Sequence, residues 1–115
     1  MPYVDGFVVV VPKSRIEEYK AVARLGCQVW MDHGAISYCE SLADDVPAGE
    51  LTSFPRAVLA QPDETVVFSF VTYESRDHRD EVNARVMADP RMRIDSVPFD
   101  RMRMLLGGFE SIVSA

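Results

Sequence analysis

The stretch Met102–Val113, MRMLLGGFESIV, is the one on which the reading of the fold turns. It reads as a strand, and its apolar residues stand at consecutive positions rather than at alternate ones. Two earlier stretches do the same: Phe7–Val11, FVVVV, and Val66–Val71, VVFSFV. A strand with one face on a core and one in water alternates apolar with polar. Strands apolar at consecutive positions are expected to be covered on both faces. The pair Gly107-Gly108 inside such a strand marks a bulge, a bend or the close approach of another backbone, with a ligand lying on the bare backbone as the competing reading.

Working outward, Tyr3–Val11, YVDGFVVVV, is dense in β-branched and aromatic residues and bounded by Pro12, so it is the first strand. Ser14 and Glu17 form the S-x-x-E capping pattern of a helix that Gly34 should stop. Between them Ile16, Tyr19, Ala23, Cys27 and Trp30 recur at helical spacing and make one apolar stripe. Ala35–Leu42 reads as the second strand. The excursion from Ala43 to Glu64 is rich in turn formers, and its FPRAVLA reads equally as a short helix or a short strand. Thr65–Tyr73 is the third strand. Ser75 caps a second long helix running to about Ala88, with Val82 and Val86 inward. Asp89-Pro90 ends it and is a favoured start for a short one.

The order is β-α-β, an excursion, then β-α-β. That order implies an α+β fold, the ferredoxin-like β-α-β-β-α-β sandwich, with an antiparallel sheet carrying both long helices on one face. The other face then lies bare, and an apolar patch of that size is rare on a monomer. A second copy packed sheet against sheet closes it, so a homodimer, a dimeric α/β barrel, is expected.

The 115 residues fit one domain, spanning 1–115. A 48% hydrophobic content excludes disorder, and no run of about 18 apolar residues offers a membrane span. The N-terminus has no basic segment before its apolar run, so the cytoplasm is the expected location. A net charge of −6 argues against nucleic acid, and the arginines at 91, 93, 101 and 103 are read as solvated or paired surface residues. Cys27 and Cys39 have no metal-like spacing and are expected to be reduced. His33 and His78 form no ligand motif, and neither a P-loop, G-x-G-x-x-G nor G-x-S-x-G occurs. No metal and no cofactor are expected.

The segments YVDGFVVVVP, DETVVFSF, RDEVNARVMADPRM and PFDRMRMLLGGFESIV resemble the YbaA-like family of small bacterial proteins, a domain of unknown function. The resemblance runs from Tyr3 to Val113 and rests on the combination of D-P-R-M, P-F-D and G-G-F-E. It implies the dimeric α/β-barrel superfamily, whose members include cofactor-free monooxygenases, isomerases, haem-handling enzymes and proteins with no known activity. A fold is implied, not a reaction. The chain departs from the family pattern at Arg101 and Met102, which replace a Gly and a Lys, and at Leu106, which replaces an aromatic residue.

Strand parity supplies candidate site residues. Arg103, Leu105, Gly107 and Phe109 share one face of a fourth strand that begins at Met102; Asp5 and Phe7 share one in the first. Tyr38 goes with Glu40, and Ser69 with Tyr73. Asp5, Glu40, Ser69 and Arg103 are therefore expected to line a pocket, with Phe7, Phe109 and Trp30 beside it. The competing reading is a buried Arg–carboxylate pair that fixes strand register. Arg79, Asp80 and Asn83 are read as an ion pair anchoring helix to loop, and the methionines as core filler. Two functions remain: a small-molecule binder or cofactor-independent enzyme with its site in or beside the barrel, or a non-catalytic homodimeric interaction module.

Overall fold

The computed structural model describes residues 2–115. It is a mixed α+β structure with four strands: β1 (Tyr3–Pro12), β2 (Ser37–Leu42), β3 (Glu64–Tyr73) and β4 (Leu105–Glu110). Three α-helices join them: α1 (Ile16–Asp32), the short α2 (Phe54–Ala57) and α3 (Arg76–Ala88). The strands form one antiparallel sheet in the order β2-β3-β1-β4. No helix among the described residues is long and apolar enough to cross a membrane.

Register decides what each face carries. Glu40 lies opposite Ser69, which lies opposite Phe7, which lies opposite Leu106. Side chains two apart share a face, so Tyr3, Asp5, Phe7, Val9 and Val11 look the same way. That face meets α1 and α3. Val71 and Tyr73 pack there with Val29, Val82 and Val86, and Val9, Val11 and Val67 pack with Tyr19. The consecutive valines of β1 thus divide between two cores. Val8, Val10 and Val66 point the other way and are buried against Val58, just beyond α2.

The excursion therefore does part of what a second chain was expected to do, and FPRAVLA resolves as a helical turn. Ser53 caps that turn by accepting from the Arg56 N–H at 3.2 Å. Its cover is local. Val10 has no exposure, whereas Phe68 is 46% exposed, Leu105 45% and Phe109 62% on the same face. Beyond α2 the sheet face stays open.

Two element boundaries differ from expectation. The Ser14–Glu17 capping box does not form: Lys13–Arg15 make a 3₁₀ turn after Pro12, and α1 starts at Ile16 with no side-chain cap. Glu17 pairs with Lys20 and Arg15 with Glu18 instead. At the other end Gly34, with φ of +103°, stops α1 as expected, and its N–H bonds the Met31 carbonyl. The fourth strand does not begin at Met102. Arg101–Arg103 form a 3₁₀ turn capped by Asp100, whose Oδ1 accepts from the Met102 N–H at 2.9 Å. Only Leu105–Glu110 pair with β1. The glycines of β4 introduce no bulge. Gly108 faces the helices, where a Cβ would stand 2.6 Å from the Tyr3 hydroxyl, so close side-chain approach explains it.

Candidate functional site

A cavity of about 390 Å³ opens between the helix-bearing face of the sheet and α1. Its floor is the sheet: Phe7 and Val9 from β1, Ser69 and Val71 from β3, Tyr38 and Glu40 from β2. Its roof is α1, through Tyr19, Ala23, Gly26 and Trp30. These lie on the stripe read from helical spacing, with Gly26 in place of Cys27. The remaining wall comes from the end of α3, through Val86 and Met87, and from the segment after it, through Met92, Phe99, Arg101 and Met104. Met92 and Met104 fill irregular space as flexible apolar side chains do, whereas Met87 is 75% exposed and Met102 93%, so those two are not the core filler expected of them.

The polar feature of this apolar chamber is one carboxylate. Glu40 Oε1 accepts from the Tyr19 hydroxyl and, at 3.0 Å, from the Ser69 hydroxyl. Glu40 Oε2 accepts from the Tyr38 hydroxyl at 2.5 Å. The cluster follows from register: Ser69 is directly across the ladder from Glu40, Tyr38 is two residues away on the same face, and Tyr19 reaches down from the second turn of α1. Burial, and then Glu40 itself, push the hydroxyls of Tyr19 and Tyr38 well above the ordinary phenol range, so both keep their protons and donate. Gly26 makes room for one of them. A Cβ at position 26 would stand 2.8 Å from the Tyr38 hydroxyl.

Of the residues singled out from the sequence, Phe7, Trp30, Glu40 and Ser69 come together at this cavity. Asp5 does not line it. Asp5 is 2% exposed, on the same sheet face but beneath α3. Its Oδ2 accepts from the Tyr73 hydroxyl at 3.1 Å and the Asn83 amide at 3.4 Å, and Arg79 Nη1 is 3.4 Å from Oδ1. Burial and the Asp5 charge push the Tyr73 hydroxyl above its usual range as well. Arg79 and Asn83 therefore anchor α3 to β1 rather than to a loop. The network touches the cavity at one point: Trp30 Nε1 donates to the Tyr73 hydroxyl at 3.2 Å, which fixes the indole that forms part of the roof.

Arg103 is also elsewhere. It sits in the 3₁₀ turn, not on a strand, and grips Glu64 with two bonds of 2.8 and 2.7 Å. It further bonds Asp100 at 2.8 Å and the Leu59 carbonyl at 2.9 Å. That geometry is a bidentate clamp joining the turn before β4 to the start of β3. Phe109 lies on the opposite sheet face, across from Val4, since Arg103 stands in the turn and does not set the parity of β4. The expected pocket set lacks Tyr19, Tyr38 and Phe99, all of which line the cavity. Tyr38 was recognisable, since it shares its face with Glu40; Tyr19 and Phe99 arrive from elements whose docking no local pattern encodes.

The D-P-R-M segment has a structural use. Asp89 accepts from Arg91 Nη2 at 2.7 Å, and its other neighbour is His33 Nε2 at 2.8 Å. Arg91 first and His33 second hold the Asp89 carboxyl far below its ordinary range. Arg91 also reaches Asp32 at 2.8 Å, so the segment is tied to the end of α1 and Met92 is delivered to the cavity wall.

A family model described as "Protein of unknown function (DUF1428)" matches residues 2–101. The chain is 45% identical over 115 residues to the "Uncharacterized protein YbaA" of Escherichia coli strain K12, covering 98% of both chains. The protein of the same name from Shigella flexneri matches to the same extent. Matched over residues 2–101 by the family model and over 98% of its length by the relatives, the chain belongs to the DUF1428 family of proteins of unknown function.

Proposed function

We propose that this chain is a single-domain, homodimeric small-molecule-binding protein of the ferredoxin-like, dimeric α/β-barrel type, with its ligand in the cavity under α1. One observation carries the reading. An apolar chamber of ligand size holds a single carboxylate on which three hydroxyl donors converge. Binding sites are mostly apolar concavities with a few convergent polar groups, and this chamber has that composition. The same group serves as a hydrogen-bond acceptor for a bound molecule or as a base for a cofactor-independent reaction. The dimer is supported by the open sheet face around Phe68, Leu105 and Phe109. Sheets stack about 10 Å apart with interdigitating side chains, and a second copy of this face supplies such a layer.

That same open face favours a second reading, a non-catalytic homodimeric module whose cavity is only a packing fault. Native mass spectrometry on gently purified protein separates the two. A dimer carrying added mass that is lost on filling the cavity, as in Ala23→Phe, supports the binding reading. A bare dimer that takes up no small molecule from a broad mixture favours the module. A monomer removes the dimeric barrel from both.

A further inference from the structure

We infer that the cavity selects a small cation, a protonated amine on an aromatic or branched apolar body. The inference rests on the binding reading above and adds the chemical class of the ligand.

Donors and acceptors at the floor are unequally used. A carboxylate has about four acceptor positions, two on each oxygen. Glu40 Oε1 already takes two hydrogens, from Tyr19 and Ser69, while Oε2 takes one, from Tyr38. The hydroxyl protons are all spent on Glu40. What the floor still offers is acceptors alone, one position on Oε2 and the lone pairs of the three hydroxyl oxygens, and a ligand must bring a donor to use them. An anionic or acceptor-only group finds no uncommitted hydrogen there.

Charge points the same way. No lysine or arginine forms an ion pair with Glu40 among the described residues. Lys20 and Arg24 line a neighbouring depression that Glu40, Tyr19 and Ala23 line as well, yet neither pairs with Glu40, and Lys20 is taken by Glu17. Arg101 stands at the mouth of the cavity and is exposed. A carboxylate in apolar surroundings gains most from a cation that reaches it. The walls suit one. Trp30 and Tyr38 lie with ring centroids 6.0 Å apart and tilted by 47°, and Tyr19 meets Phe99 edge to face at 5.9 Å. Aromatic faces attract an ammonium electrostatically, and the thioethers beside them pack against any apolar body it carries.

Trp30 is the only tryptophan and forms part of the roof, so its fluorescence reports occupancy directly. Three probes with one aromatic body make the test: 2-phenylethylammonium, 2-phenylethanol and 3-phenylpropanoate, titrated at pH 7 into the native protein and into Glu40→Gln. The expected result is binding in the order ammonium, alcohol, carboxylate, with about a tenfold gap between the first and the last. In Glu40→Gln the gap should close to about twofold while the alcohol still binds, which shows that the cavity is intact. Equal or tighter binding of the carboxylate, or an ammonium preference that survives Glu40→Gln, overturns the inference and leaves the binding reading standing. No saturable binding by any of the three overturns both.

Discussion

Gly26 sits in the interior of α1, where glycine costs about 1 kcal/mol relative to alanine. The helix keeps it because a Cβ there would stand 2.8 Å from the Tyr38 hydroxyl, the rigid end of a ring already fixed on Glu40. Two effects oppose each other in Gly26→Ala. The gain in helix propensity is about 1 kcal/mol. Displacing the Tyr38 hydroxyl from a carboxylate loses a bond of about 1.5–3 kcal/mol, so the loss wins. Gly26→Ala alone should lower stability by about 1 kcal/mol. In a Tyr38→Phe background the nearest ring carbon is 3.6 Å away, an ordinary contact, and the same substitution should stabilise by about 1 kcal/mol. Urea denaturation of the four proteins reads the reversal; a stabilising Gly26→Ala in the native background would refute the steric account. The sequence showed a weak point at Gly26 but not its reason, since the hydroxyl that needs the space comes from another element.

At the scale of elements, the turn before β4 is held by charge. Arg103 first, and the Gln61 amide second, pull the Glu64 carboxyl down from its ordinary 4.5 to about 2, and Arg103 lowers Asp100 as well. A carboxyl whose folded value is depressed adds stability that is complete above its unfolded value and disappears as pH falls through the folded one. The urea midpoint should therefore drop between about pH 5 and pH 2, and Glu64→Gln should start lower and fall less steeply across that window. An unchanged pH profile in Glu64→Gln would detach the clamp from acid stability. The same clamp explains where sequence reading went wrong. Strand parity was legible for β1, β2 and β3, and it brought Phe7, Glu40 and Ser69 to one face. It failed for Arg103 and Phe109 because the partner that bends the chain, Glu64, is 39 residues away. Local composition from Met102 onward looks like strand; a distant carboxylate and the Asp100 cap make it a turn. The start of α1 moved for a related reason, as Glu17 found Lys20 rather than a helix cap.

For the whole molecule, consecutive apolar positions in the strands announced two covered faces. The structure divides the cover: α1 and α3 on one side, Val58 and its neighbours over part of the other, and an open remainder. The excursion's contribution was not legible, because a segment rich in turn formers gives no sign of where it will pack. If the remainder is the contact between two copies, a charge in its middle must disrupt the pair. Phe68 is half-exposed and meets Phe54 edge to face at 5.9 Å, so Phe68→Glu should leave the fold in place and shift the native mass from dimer to monomer. A dimer that tolerates Phe68→Glu puts its contact on some other surface.

In the wall, Met92 and Phe99 hang between two ionic moorings, Asp89 with Arg91 and His33 at one end and Asp100 with Arg103 and Glu64 at the other, while Arg101 and Met104 sit in and just after the second mooring's own turn. Neither mooring uses a residue of the Glu40 cluster. Floor and wall are therefore moored separately, and they meet where Phe99 and Met104 pack against Tyr19 and Val9. A loop graft from Arg93 to Phe99, or a change at Arg101, re-cuts the mouth of the chamber while the ladder beneath it keeps its register. Arg101, exposed on the lining of the chamber, is the natural first position for redesign.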